Sequence, residues 1–331
     1  MIHSRDAPSL QAAVVVIFVM EGDRMKKPVF LFPGQGSQEI GMGMKFYEDS
    51  ALAREFFARA DETLGYEISK ICFEGPEEKL KMTENTQPAL LVVSVIAYSL
   101  LQTKPAVAAG HSLGEYSALV TAGALAFEDA VCLVHNRGKY MQEAVPVGVG
   151  AMAAVLGVSY DEVKSALAKV EQGVVEIANW NSRQQIVIAG HEQAVKDALS
   201  ALNPPRSVFL PVSAPFHCQL MAPAEKRLSS DLDEVEFKDL KFPIITNVDA
   251  RIIHTGDEAR DSLKRQVTRP VLWYKSMELL KDGQYDFFVE LGSGKVLSGL
   301  LKRIGREWSS SPVSLNVSDP ASLTLAKEET G

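Results

Sequence analysis

The sequence predicts an α/β protein with a parallel sheet of buried strands, interrupted by a smaller inserted lobe, and three observations carry this expectation. Residues 106–109 are a short apolar run that meets Gly110-His111-Ser112-Leu113-Gly114, and a helical stretch follows that stops at Gly123, a natural C-terminal cap. Val29-Phe30-Leu31-Phe32 is a continuous apolar run of the kind buried on both faces of a parallel sheet, with a glycine-rich loop and helical segments after it. After Val145 the chain alternates short strands and helices as β-α-β-β-α-β, the pattern of a ferredoxin-like lobe. That lobe is an insertion, because the first sheet needs later strands to finish.

The strand, sharp turn and helix around Ser112 have the form of a nucleophile elbow. The turn is tight enough that side chains at Gly110 and Gly114 would strike neighbouring backbone, while the Ser112 hydroxyl stays exposed at the top of the strand. Ser112 also sits at a helix N-terminus, where free N–H groups favour developing negative charge. Glycine and serine are common in loops, so the motif alone says little; the flanking strand and helix give it meaning.

Composition sets the broad class. The chain has 331 residues, 46% apolar and 23% charged, enough for one large domain with a second lobe. A net charge of −8 argues against nucleic acid as the main partner. Cys72, Cys132 and Cys218 are odd in number and far apart, which suits neither a disulfide framework nor a zinc site and fits a reducing cytoplasm. The apolar stretch 12–20 is too short to span a bilayer and lacks a small-residue cleavage site, so no membrane anchor or signal peptide is expected. Met25-Lys26-Lys27-Pro28 looks like a natural start, and residues 1–24 are read as a dispensable extension.

Between the two sheet signals, Pro33-Gly34-Gln35-Gly36-Ser37-Gln38 lacks the ending of a P-loop and the spacing of a dinucleotide fingerprint. It is either a plain turn or a loop that brings backbone N–H groups and Gln35 to a site. Helices are expected over 51–63 and 87–101, with Pro88 in the first turn of the second. A helix over 127–143 carries His135, Arg137 and Lys139, and Arg137 either faces solvent or points into a cleft beside Ser112. In the inserted lobe, strands are expected over 151–156, 174–178, 185–189 and 207–210, with helices over 160–170 and 191–202.

A serine hydroxyl is a poor nucleophile until a base takes its proton. His217, which follows Pro215 and Phe216 on the exit loop of the small lobe, is one candidate base. His111 adjoins Ser112 but should point away around the turn. Asp249 and His254 complete, with Ser112, the chain order of a hydrolase triad and stay open as the other candidate.

Several motifs in order then carry a resemblance: Phe32-Pro33-Gly34-Gln35-Gly36-Ser37-Gln38, NTQPALL from Asn85, GHSLGEYSAL from Gly110, RGKYMQ from Arg137, SAPFH ending at His217, TNVDA from Thr246 and ELGSGKVL from Glu290. Over residues 29–306 the sequence resembles the malonyl-CoA:acyl carrier protein transacylases of bacterial fatty-acid synthesis and the related acyltransferase domains of polyketide synthases. The resemblance implies a hydrolase-like α/β core, residues 25–147 and 212–310, carrying the ferredoxin-like lobe 148–211 and followed by a C-terminal tail, 311–331. It implies Ser112 as nucleophile, His217 as base, and the backbone carbonyl of Gln266 in place of an acidic third member. It also implies an oxyanion hole from the amides of Gln35 and Leu113, and Arg137 as the partner of the malonyl carboxylate. Phe216 matches the pattern of malonyl-selective members. No metal, nucleotide or redox cofactor is expected; malonyl-CoA and acyl carrier protein are the expected partners, and the enzyme is expected to be a cytoplasmic monomer.

Two segments depart from the family pattern. Asn181-Ser182-Arg183-Gln184-Gln185 stands where Asn-Ser-Pro-Gly-Gln is common, and Gly292-Ser293-Gly294 where Gly-Pro-Gly is common; altered loop rigidity is expected. Lys295, Lys302, Arg303 and Arg306 offer a basic face to an acidic carrier protein. A discrete polyketide acyltransferase, a serine carboxylester hydrolase built on Asp249 and His254, and a silent carrier-binding subunit are the alternatives. A hydrolase of neutral esters has no need of Arg137, and a scaffold has no use for Ser112, His217, Arg137 and Gln35 together.

Overall fold

The structure, a computed structural model, describes residues 28–330 apart from 147 and 213, so the expectation for 1–24 lies outside the described residues. Its large sheet contains β1 (Val29–Phe32), β2 (Val107–Gly110), β7 (Ile244–Ile245), β8 (Ile252–Ile253), β9 (Phe287–Leu291) and β10 (Val313–Val317) in the order β10-β9-β1-β2-β7-β8. All neighbours run parallel except the short hairpin of β7 and β8. Side-chain alternation buries both faces: Phe30 and Phe32 enter one core, whereas Val29, Leu31, Val107 and Ala109 enter the other.

The small sheet holds β3 (Gly150–Leu156), β4 (Val175–Ser182), β5 (Gln185–His191) and β6 (Arg206–Phe209), antiparallel in the order β4-β5-β3-β6. With helices Tyr160–Leu167 and Glu192–Leu202 this is the expected β-α-β-β-α-β lobe. One face, through Ala153, Val155, Ile186 and Ile188, packs on those two helices. The other, through Met152, Val187 and Ala189, joins the main core and closes one side of a cleft. The β4 edge is tied to the large lobe by the Trp180 amide donating to the Val271 carbonyl at 2.9 Å and the Val271 amide donating to Ala178 at 2.9 Å.

Two expectations are corrected. The segment expected as a tail, 311–331, is not one over its described residues 311–330, because β10 pairs in parallel with β9 as the outermost strand and helix Pro320–Thr330 puts Leu323 and Ala326 into the core. The alternation Val313-Ser314-Leu315-Asn316-Val317 suits such a half-buried edge strand. Asn316 also donates from Nδ2 to the Gly294 carbonyl at 2.8 Å, fixing one of the two departing loops.

The helix expected to begin at Gln87 begins at Thr83, placing Pro88 inside it. Proline leaves the carbonyl four residues earlier without its helical donor, and here that carbonyl, Glu84 O, lies 3.0 Å from Nδ1 of His135 on helix Phe127–Glu143. The two helices approach closely because Gly138 has no side chain: a Cβ there would lie 2.5 Å from the Thr83 carbonyl oxygen. This approach lays Arg137 against Gln87.

Candidate active site

Strand register assembles the site at the carboxyl ends of the large sheet. Phe32 on β1 is level with Gly110 on β2, so the loops leaving both strands bring Gln35 and Leu113 to the same height. On the other side of β2, Ala109 is level with Ile245 of β7, so Asn247 arrives beside the turn. The turn is the expected elbow. A Cβ on Gly110 would lie 1.9 Å from the Gly114 carbonyl carbon, and one on Gly114 would lie 2.0 Å from the Phe32 oxygen. Ser112 sits between them at φ +52°, the strained left-handed conformation that lifts its hydroxyl clear of the strand. Asn247 braces it, accepting from the Ser112 amide at 2.6 Å and donating to the Gly110 carbonyl at 2.7 Å.

Ser112 Oγ lies 2.8 Å from His217 Nε2. His217 Nδ1 lies 2.9 Å from the Gln266 carbonyl oxygen, which can only accept, so Nδ1 carries the hydrogen and Nε2 is the free base. Gln266 is the last residue of helix Gly256–Gln266, which starts at a capping box between Thr255 and Glu258, and a carbonyl in the last turn has no partner within its own helix. Only 4% of His217 is exposed, and burial first, then the charge of Arg137, pulls its pKa down to about 3, although the Gln266 bond opposes this. The imidazole is therefore neutral at rest.

Arg137 points into the cleft, 1% exposed, not to solvent. Its Nη2 donates to Ser112 Oγ at 3.0 Å and to Gln266 Oε1 at 2.8 Å, and its Nη1 donates to Gln87 Oε1 at 2.7 Å. Tyr116 lies under it, ring centre 5.5 Å from the guanidinium carbon. Every one of these partners is neutral, so a buried cation stands beside the Ser112 hydroxyl without a carboxylate in contact. The amides of Gln35 and Leu113 have no acceptor among the described residues, and both residues line, with Ser112, a cavity of about 110 Å³. Its apolar wall is Met141, Met152, Leu210, Val212 and Phe216.

His111 does point away from the reacting atoms, its Nε2 2.9 Å from Asn181 Oδ1 of the small lobe. Asp249 and His254 do not reach Ser112. Asp249 is held on the surface by a two-pronged pair with Arg265 at 3.1 and 2.7 Å, and His254 is exposed after β8. The hydrolase triad order is therefore not a triad in space. Sequence reasoning left Gln87, Glu115, Asn247 and the side chain of Gln266 without roles, although the first three stand inside the quoted motifs; only packing shows that they converge. Among the described residues, no group of three or more His, Cys, Asp or Glu could hold a metal ion.

An elbow serine, a neutral histidine held by a carbonyl, two amides without an acceptor among the described residues and a buried cation, set on an α/β core, are together capable of acyl transfer through the serine. Comparison with known proteins agrees. Residues 29–327 match the acyl transferase domain, and the chain belongs to that family. It is 43% identical over 312 residues to the malonyl CoA-acyl carrier protein transacylase of Escherichia coli K12, covering 92% of this chain and all of the relative. The solved transacylase of Coxiella burnetii superposes with a TM-score of 0.89 at 39% identity, over 92% of this chain and 98% of that one. A malonyl-transacylase solved in complex with a type II polyketide-synthase acyl-carrier protein gives 0.87 at 41% identity, over 91% and 99%.

Proposed function

We propose that this chain transfers the malonyl group of malonyl-CoA to the phosphopantetheine thiol of acyl carrier protein, through a malonyl ester on Ser112, supplying extender units for fatty-acid synthesis. The observation that carries the reading is Arg137: a fully buried guanidinium with only neutral partners, 3.0 Å from the nucleophile, is an ion pair awaiting its anion. A carboxylate at the far end of a short acyl group supplies it, and the planar fork can hold both oxygens.

In the first half-reaction Ser112 Oγ attacks the thioester carbonyl carbon while its proton passes to His217 Nε2. The amides of Gln35 and Leu113 donate to the oxyanion that forms. Collapse breaks the carbon–sulfur bond, and His217 returns the proton to the departing CoA sulfur, which leaves as the thiol. The carrier thiol then runs the same steps in reverse. Malonate bound on Arg137 offsets the charge that depresses His217, so substrate binding strengthens the base it needs. The apolar wall keeps water from the ester, and Phe216 limits room beside the acyl group.

The steps above draw only on side chains and amides of this chain, so we infer that they require no metal, nucleotide or redox cofactor and that one copy of the chain suffices for them. The three unpaired cysteines support a cytoplasmic setting, and among the described residues no helix is long and apolar enough to cross a membrane. For the carrier we place docking at Lys295, Lys302, Arg303 and Arg306, all exposed along and just beyond the ends of helix Val296–Ile304. Reversing Lys302 and Arg303 to Glu is expected to raise the KM for carrier protein about tenfold while leaving malonyl-CoA loading unchanged; an unchanged KM removes the surface from consideration. The likeness to the transacylase solved with a polyketide carrier favours assaying carriers of both pathways.

The deciding experiment is intact mass after brief exposure to malonyl-CoA. A malonyl adduct on the parent, absent from Ser112→Ala and discharged by carrier protein, is expected. No adduct under any condition points to a silent subunit, and an adduct cleared by water as fast as by carrier points to a hydrolase.

A further inference from the structure

We propose that Glu115 is a positioning residue: its carboxylate locks the side-chain amide of Gln266, and through that one residue it sets both the carbonyl that orients His217 and the oxygen that aims Arg137 at Ser112. The inference rests on the transacylase reading of His217 and Arg137. Glu115 lies in the first turn of the elbow helix Gly114–Thr121 and is fully buried. Its Oε2 accepts from Gln266 Nε2 at 2.8 Å and from the Asn247 amide at 3.0 Å, and its Oε1 accepts from Ser262 Oγ at 2.8 Å.

These bonds determine which way the Gln266 amide faces. Gln266 Nε2 meets the Ser112 carbonyl at 3.0 Å, which can only accept, and Glu115 Oε2, the same oxygen that takes the Asn247 amide. Gln266 Oε1 is thereby the end that meets Arg137 Nη2. Turned over, the amide would set an NH₂ against the guanidinium and release the fork. Ser262 and Gln266 lie one turn apart on the same helix, so Glu115 grips its last turn at two points and fixes the main-chain carbonyl 2.9 Å from His217 Nδ1. The third donor, Asn247, is the residue that braces the strained Ser112.

The spacing also explains why the acid is not in contact with Arg137. A carboxylate touching the guanidinium would compete with the malonyl carboxylate for the fork; one amide away, Glu115 positions the fork without itself occupying it.

The test is single-turnover loading of Ser112 by saturating malonyl-CoA, read by quenched intact mass, with thermal melts to establish folding. The variants are Glu115→Ala, Glu115→Gln, Gln266→Ala and the Ala/Ala double. Gln can keep its oxygen toward Gln266 and Asn247 while the Ser262 hydroxyl turns to accept, so Glu115→Gln is expected within about fivefold of the parent. Glu115→Ala is expected to slow loading about 100-fold. In the Gln266→Ala background the same change is expected to cost less than about tenfold, because the coupling runs through that side chain. Full additivity, or a Gln variant as slow as the Ala variant, overturns the proposal. If Glu115→Ala does not fold, Glu115→Asp replaces it in the cycle: the carboxylate then falls short of Gln266, and loading that stays at the parent rate overturns the proposal equally. A parent that never loads refutes the transacylase reading itself, an outcome separate from any variant.

Discussion

Arg265 and Gln266 are neighbours in the chain and belong to opposite regimes. Arg265 looks outward from its helix and is paired with Asp249 and Asp261, both at 2.7 Å. Gln266 looks inward and holds Arg137, a cation with no acid in contact. On the surface every one of these charges has found its counter-charge, where solvent makes the pairing worth little. In the cleft the charge has been desolvated and left incomplete, where pairing is worth most. On the proposed reading, the difference teaches that the working part of this molecule is the part where a buried charge has no acid in contact.

The strongest way to break the comparison is to remove the unfinished charge. Arg137→Ala is expected to lower malonyl loading by roughly two to four orders of magnitude, from the about 3–5 kcal/mol that a buried pair loses with one partner. Acetyl loading should fall less than about tenfold. Equal losses for both acyl groups, measured with malonyl-CoA and acetyl-CoA side by side, would make Arg137 structural.

The buried imidazole gives the next effect. His217 titrates near 3 in the folded chain against about 6.5 in an unfolded one, so between those values the unfolded state binds more protons. Stability from this group is therefore present above pH 6.5 and lost as pH falls toward 3. Between pH 7 and pH 5 the parent should lose about 2 kcal/mol more than His217→Asn, by denaturant titration at both values. The acid limb of kcat/KM for malonyl-CoA should correspondingly lie below the ordinary histidine range. A limb at or above pH 6.5 would mean that His217 is better solvated than its packing suggests.

The smallest effect is expected on the surface. Arg265→Ala should change unfolding free energy by less than about 1 kcal/mol and malonyl loading by less than about twofold. A larger loss of loading would show that the outer face of the helix, and not only Glu115, steadies Gln266.

Much of this contrast was legible beforehand. The elbow was readable because its strand, glycines and helix are contiguous, and Val29–Phe32, the helix Phe127–Glu143 and the small lobe were readable from apolar periodicity. The helix start at Thr83 was not, because a proline that normally marks a first turn is accommodated in the interior by His135 lying against the carbonyl it frees. The last strand was missed because a five-residue edge strand, half exposed, carries a weak signal until β9 is there to pair with it.

By itself, then, the sequence determined the local chemistry: a serine on a turn only glycines permit, a histidine on a proline-bounded loop, and an arginine on a helix that could face either way. Tertiary structure decided which of these meet. It rejected Asp249 and His254 by pairing one with Arg265 and exposing the other. It turned Arg137 inward, and it brought Glu115, Asn247 and Gln266 from distant segments to a single point beneath Ser112. The physical reason is one of range. Steric limits and hydrophobic period act between near neighbours in the chain, whereas the orientation of a buried charge depends on every polar group that packs around it.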